Sequence, residues 1–140
     1  MTIYSRVSKD VFYENIEAIT YRNQDIKETF DFGCKGIKDC YDKATHKFAR
    51  YFILEEDGRP IVTVMLQRNG HIIFFISDTV NNKLALIKEL KKLANKVTEC
   101  CGAIITKTAN WYEEAKRLNL IMGFVTLSIR DGYTYYNLGD

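Results

Sequence analysis

Proline is nearly missing from this chain: its single copy, Pro60, falls beside a turn. Also missing is any apolar run near the ~20 residues that a membrane-spanning helix requires. The opening residues MTIYSRVSKD lack the apolar centre of a secretory signal, so a protein that stays in, or assembles in, the cytosol is expected. Neither sign of charge is in excess, because 20 basic residues face 18 acidic ones scattered along the chain; the net charge of +2 names no nucleic-acid partner, and none is expected. Paired ligand spacings are lacking as well. Cys34, Cys40, Cys100 and Cys101, with His46 and His71 as the only histidines, are too dispersed for a zinc site, and no metal is expected; free buried thiols in a reducing compartment fit them better. Repeats, low-complexity tracts and linkers do not occur, and 140 residues with 46% hydrophobic content read as one domain, residues 1–140, burying roughly 70% of its unfolded surface.

What is present is strong punctuation. Asp57-Gly58, Asn69-Gly70 and Asp131-Gly132 each stand between apolar or aromatic runs and supply the positive φ angles of tight hairpins. The first two hairpins share a strand, so ARYFILEE, RPIVTVMLQR and HIIFFIS form an antiparallel meander over about residues 49–77. The third joins FVTLSI to YTYYNL, where Tyr133, Tyr135 and Asn137 alternate with Thr134, Tyr136 and Leu138. Between them, NNKLALIKELKKLANKVTECCG repeats apolar residues at helical spacing: Leu86, Leu90, Leu93, Ala94, Val97 and Cys101. Lys88, Lys91, Lys92 and Lys96 take the other face, read as solvated, and Gly102 stands at the C-cap position. AIITKT reads as a strand, and Asn110 followed by Glu113 as a capping box opening a helix over ANWYEEAKRLNL. After an opening strand IYSRV, residues up to 48 read as helical, with Val11, Phe12, Ile16 and Ile19 as one stripe, a break near Phe32-Gly33, and a short helix in GIKDCYDKATHKF. This order predicts an α+β fold, a mostly antiparallel central sheet with helices on both faces.

The order, together with the C-terminal AIITKTANWYEEAKRLNLIMGFVTLSIRDGYTYY, resembles the GNAT (GCN5-related N-acetyltransferase) superfamily, in which an Asn opens a helix that ends in Gly-Phe; here these are Asn110, Gly123 and Phe124. More narrowly, FFISDTV before the long helix is similar to a family of small GNAT-like internal virion proteins of short-tailed bacteriophages. The superfamily resemblance implies that acetyl-CoA's pantetheine arm pairs with the fourth strand, at Phe75, Ile76 and Ser77. The diphosphate would meet the start of the following helix, at Asn81, Asn82 and Lys83, and Asn110 would be a further cofactor contact.

The junction departs from that pattern. SDTVNN contains no glycine, the side chains of Thr79, Val80 and Asn81 crowd the place of the diphosphate, and Asp78 adds negative charge there, unless it simply caps the helix. A general-acid tyrosine implied by the resemblance falls on Asn119, so no catalytic residue is assigned. Glu55 and Glu56 end a strand beside a turn and read as solvated acids. Trp111 reads as packing, His46 and His71 as isolated, and the Tyr133, Tyr135, Tyr136 cluster as either sheet packing or an interface. Three functions follow as expectations. The first is a protein with a degenerate acetyl-CoA site acting by protein contact, as a virion or assembly component located in the virion or host cytoplasm. The second is an acetyl-CoA-dependent N-acetyltransferase of an amine. The third is an anti-host effector that binds a bacterial enzyme.

Overall fold

The computed structural model describes residues 1–139. Its elements run β1 (Thr2–Val7), α1 (Lys9–Ala18), α2 (Asn23–Asp31), α3 (Ile37–Ala44), β2 (Arg50–Glu56), β3 (Arg59–Leu66), β4 (Ile72–Ile76), α4 (Lys83–Cys101), β5 (Ala103–Ala109), α5 (Glu113–Ile121), β6 (Val125–Arg130) and β7 (Tyr133–Gly139). Strands β1 to β4 form an antiparallel sheet in chain order, and β5, β7 and β6 form a second antiparallel sheet with β7 in the middle. The expected α+β class is therefore the observed one.

The meander follows from its turns. Asp57 and Gly58 both take positive φ, as do Asp131 and Gly132, which matches the right-handed twist of the strands they join. The Asn69-Gly70 turn differs from expectation: only Gly70 has positive φ, and Gln67 closes the wider loop, its N–H donating to the His71 carbonyl and its carbonyl accepting the Gly70 N–H. Both faces of the first sheet are covered, which is why β2 and β3 read as nearly unbroken apolar runs. Phe52, Leu54, Val62 and Val64 face α4 through Leu86, Leu90, Leu93, Ala94 and Val97. Tyr51, Ile53, Met65 and Phe75 face α1 and α3 through Phe12, Ile16, Ile37 and Tyr41.

The long helix starts at Asn82, whose side chain accepts the Ala85 N–H, and stops at Gly102, whose φ of 86° no side-chain-bearing residue favours. Cys101 does not belong to its buried stripe: it and Cys100 are exposed, and only Cys34 and Cys40 are buried thiols. The N-terminal region also differs from expectation. Three helices precede the meander, broken at residues 19–22 and 32–36, and the third ends at Ala44 rather than continuing to Phe48. Ser8 caps α1, Phe12 and Ile16 are its buried face, Ile19 is buried beyond its end, and Val11 is exposed. No helix of the described residues is long and apolar enough to cross a membrane.

Candidate functional site

Strands β4 and β5 run parallel, touch once and part. They meet at a bridge between His71 and Ile105, where the Ile105 N–H donates to the Gly70 carbonyl at 2.9 Å. Glycine is required there, since a Cβ on residue 70 would stand 2.9 Å from the Ala103 carbonyl oxygen. Past the bridge the strands frame a cleft of about 470 Å³ lined by Ile72–Phe75 and Ile105–Thr108. A groove of about 500 Å³ lies beyond it, between α4 and α5, lined by Ile76, Ser77, Val80, Lys83, Arg117 and Ile121 among others. Arg22 and Leu118 line both spaces and so form the wall between them.

The edge of β4 that faces the gap is already paired at its C-terminal end, from Ile76 to Asp78. Tyr21 bridges Ser77, the Arg22 N–H donates to the Ile76 carbonyl at 3.2 Å, and the Asp78 N–H donates to the Thr20 carbonyl at 2.9 Å. The Ile76 N–H donates to Asp25 Oδ2 at 2.8 Å. The other oxygen of Asp25 accepts from the Arg22 guanidinium at 2.8 Å and from the Tyr112 hydroxyl. Arg22 also lies over the Tyr112 ring, 5.5 Å from its centroid. One turn further along α2, Glu28 Oε2 accepts the Ala109 N–H at 2.9 Å, at the open end of β5. Two carboxylates on one face of α2 thus satisfy the two diverging strands. Burial pushes the Glu28 carboxyl up to about 7, with the Ala109 N–H pulling the other way.

The start of α4 is occupied in the same manner. Glu56, 3% exposed, accepts the Asn81 N–H at 3.0 Å on one oxygen and the Asn82 N–H at 2.9 Å on the other. Arg59 holds Glu56 at 3.1 Å and also donates to the Thr79 carbonyl at 2.6 Å. The two amides hold the Glu56 carboxyl below the usual carboxylate range. The Thr79 N–H donates to Ser77 Oγ at 3.1 Å. An anion is therefore present where the resemblance places a diphosphate, and it belongs to the chain itself.

The expected cofactor residues are scattered over these features. Ile76, Ser77 and Lys83 line the groove; Phe75 lines the cleft with its side chain in the α1–α3 core. Asn81 and Asn82 give their amides to Glu56, and Asn82, not Asp78, caps α4. Asn110 caps nothing: α5 starts at Glu113 without a side-chain cap, and Asn110 Oδ1 instead accepts from Thr134 Oγ1 at 2.6 Å. Glu56 is buried rather than solvated. Asn119 is 1% exposed and donates to Thr108 Oγ1 at 2.8 Å, and its Oδ1 has no partner among the described residues. Trp111 stacks on Tyr112 and donates to Asp31. In the tyrosine cluster Tyr136 is buried, whereas Tyr133 and Tyr135 are half-buried. Asp25 and Glu28 were not anticipated, and Glu56 only as a solvated acid. Their signal is faint: three acids near turns or helix starts, two of them spaced i, i+3 on a helix.

This arrangement of strands, splayed at β4 and β5 and followed by α5 and a terminal hairpin, is the GNAT acetyltransferase fold. The chain superposes on the ribosomal-protein-S18-alanine N-acetyltransferase of Escherichia coli with a TM-score of 0.69 at 10% identity, covering 99% of this chain and 94% of that one. The aminoglycoside acetyltransferase AAC(6')-Ib, solved in complex with coenzyme A, gives 0.69 at 14% identity, with 99% and 95% covered. The yncA protein of Salmonella typhimurium, solved with its cofactor acetyl-CoA, gives 0.63 at 12% identity, with 99% and 93% covered. In sequence, no family model and no curated protein matches.

Acetyl-CoA does not fit the residues present. The β4 edge from Ile76 to Asp78, where the pantetheine arm would pair, is taken by residues 20–22 and Asp25, and the Asn81 and Asn82 amides before α4 are taken by Glu56. A phosphate brought to those amides would meet a buried carboxylate at hydrogen-bond range, a like-charge contact that the Arg59 cation only partly offsets.

Proposed function

We propose that this protein keeps the acetyltransferase fold without the acetyl-CoA site and acts by binding another protein, as a component of a virion or of its assembly. The single observation that carries the loss of the cofactor is Glu56 on the Asn81 and Asn82 amides. Asn119 supports it, since a carboxamide N–H is far too weak an acid to protonate a departing thiolate. The virion setting rests on the sequence resemblance to internal virion proteins alone, and a host enzyme is the alternative partner. Mass spectrometry of purified particles of the encoding phage tests the first: a fixed copy number per particle supports a virion component, and absence from particles and from complexes with other phage proteins refutes it.

A second reading, an N-acetyltransferase that uses acetyl-CoA, is supported by structural neighbours solved with coenzyme A or acetyl-CoA and by the groove, whose rim carries Lys83 and Arg117. Calorimetry separates the two. Saturable binding of acetyl-CoA with one site per chain supports the transferase; no heat at millimolar cofactor supports the proposal.

A further inference from the structure

Far from the groove, at the end of the first sheet where α4 stops, the described surface holds a concavity of about 430 Å³ bordered by Arg6, Lys47, Phe48, Arg50, Arg68 and Cys101, and no Asp or Glu lines it. The strand register builds it. Arg6 faces Phe52 across the β1–β2 pair, which makes Arg50 its diagonal neighbour on the same face, about 7–8 Å away. Arg50 faces Leu66 across β2–β3, and Arg68 follows two residues beyond Leu66. Strands β1 and β2 therefore each deliver one arginine to a single edge, and the turn that follows β3 brings Arg68 to it. Lys47 adds a fourth cation. None of the four has a carboxylate within 4.0 Å among the described ion pairs, whereas the chain as a whole carries a net charge of only +2.

Phe48 stands in the middle of this charge and is 54% exposed. The Arg68 guanidinium lies 4.6 Å and the Lys47 ammonium 5.6 Å from its ring centroid. An arginine stacked on a ring keeps its N–H fork free for an anion. The turn carrying Arg68 is tied down by Gln67, whose side chain donates to the Ala44 carbonyl at 2.9 Å.

We propose that this concavity binds single-stranded nucleic acid. Unpaired cations grouped without acids answer a phosphate backbone, and an exposed aromatic among them offers a face for a base, the two components of sequence-tolerant single-strand binding. An acidic peptide would use the cations but leave the ring without a role. The site is independent of the acetyl-CoA question.

The test is fluorescence anisotropy of a labelled 15-nucleotide oligothymidylate with the full chain between 50 and 200 mM salt. Four phosphate contacts predict a slope of log affinity against log salt of about −3. Arg50→Ala with Arg68→Ala is expected to weaken binding at least about tenfold and to flatten the slope by about 1.4. Phe48→Ala is expected to weaken it about fivefold or more with the slope unchanged. All three positions are exposed, and a thermal melt of each variant confirms folding. The proposal is overturned by no binding at 50 mM salt, by unchanged affinity in the folded variants, or by oligoglutamate binding as tightly as the oligonucleotide, which would assign the surface to an acidic protein.

Discussion

Replacing Glu28 by Gln tests the carboxylate clamp through pH. The folded protein holds the Glu28 proton up to about 7, against 4.5 for the free side chain. Between those values the folded chain carries a proton that the unfolded chain has released, so stability falls as pH rises through this window and is fully present only below it. At about 1.4 kcal/mol per pH unit, the window is worth about 3 kcal/mol. Gln keeps an acceptor for the Ala109 N–H but cannot ionise. Urea denaturation at pH 5 and pH 8 should therefore show the wild type losing about 3 kcal/mol more than Glu28→Gln over that interval, a difference of several degrees in Tm for a domain of this size. Other titrating groups are common to both chains and cancel in the comparison. Parallel pH profiles for the two proteins would refute the argument that Glu28 is held as a buried acid between α2 and β5.

Glu56→Ala should cost on the order of 2–3 kcal/mol at pH 7 in urea melts, because two amides at the start of α4 and the Arg59 guanidinium lose a charged acceptor. Because this carboxyl titrates below the usual range, its contribution is present above that range and disappears as pH falls through the depressed value, so wild type and Glu56→Ala should converge in acid. Gly70→Ala should lose about 2 kcal/mol or more, combining a φ of 88° with a Cβ at 2.9 Å from the Ala103 carbonyl oxygen, and hydrogen exchange should then report faster opening at Ile105. Leu90→Ala, in the centre of the α4 contact with the sheet, should cost about 2–5 kcal/mol in the same melts.

Legibility in the sequence tracked how local each feature is. The Leu86, Leu90, Leu93, Ala94, Val97 stripe and the Asp-Gly turns are set by neighbours within a few residues, and the structure keeps them as read. Helix α2 misleads because its buried face is polar: Asp25, Glu28 and Thr29 point inward while Phe30 is 58% exposed. Apolar periodicity therefore favours the wrong face. The backbone amides that Glu56 accepts lie 25 and 26 residues away, and those that Asp25 and Glu28 accept lie 51 and 81 away, beyond any local pattern. Asn110 reads as a cap in sequence, but β7 offers it Thr134 instead, while Asn82 rather than Asp78 caps α4. The basic concavity was averaged away in the net charge, since strand register, not sequence proximity, gathers Arg6, Arg50 and Arg68.

Backbone amide NMR during a titration with acetyl-CoA tests the central claim most directly, because it reads the N–H groups in dispute one by one. With Asp25 on Ile76 and Glu56 on Asn81 and Asn82, those three resonances should stay in place up to millimolar cofactor. Saturable shifts at all three, converging on one dissociation constant, would show the carboxylates yielding to the cofactor and would contradict the account.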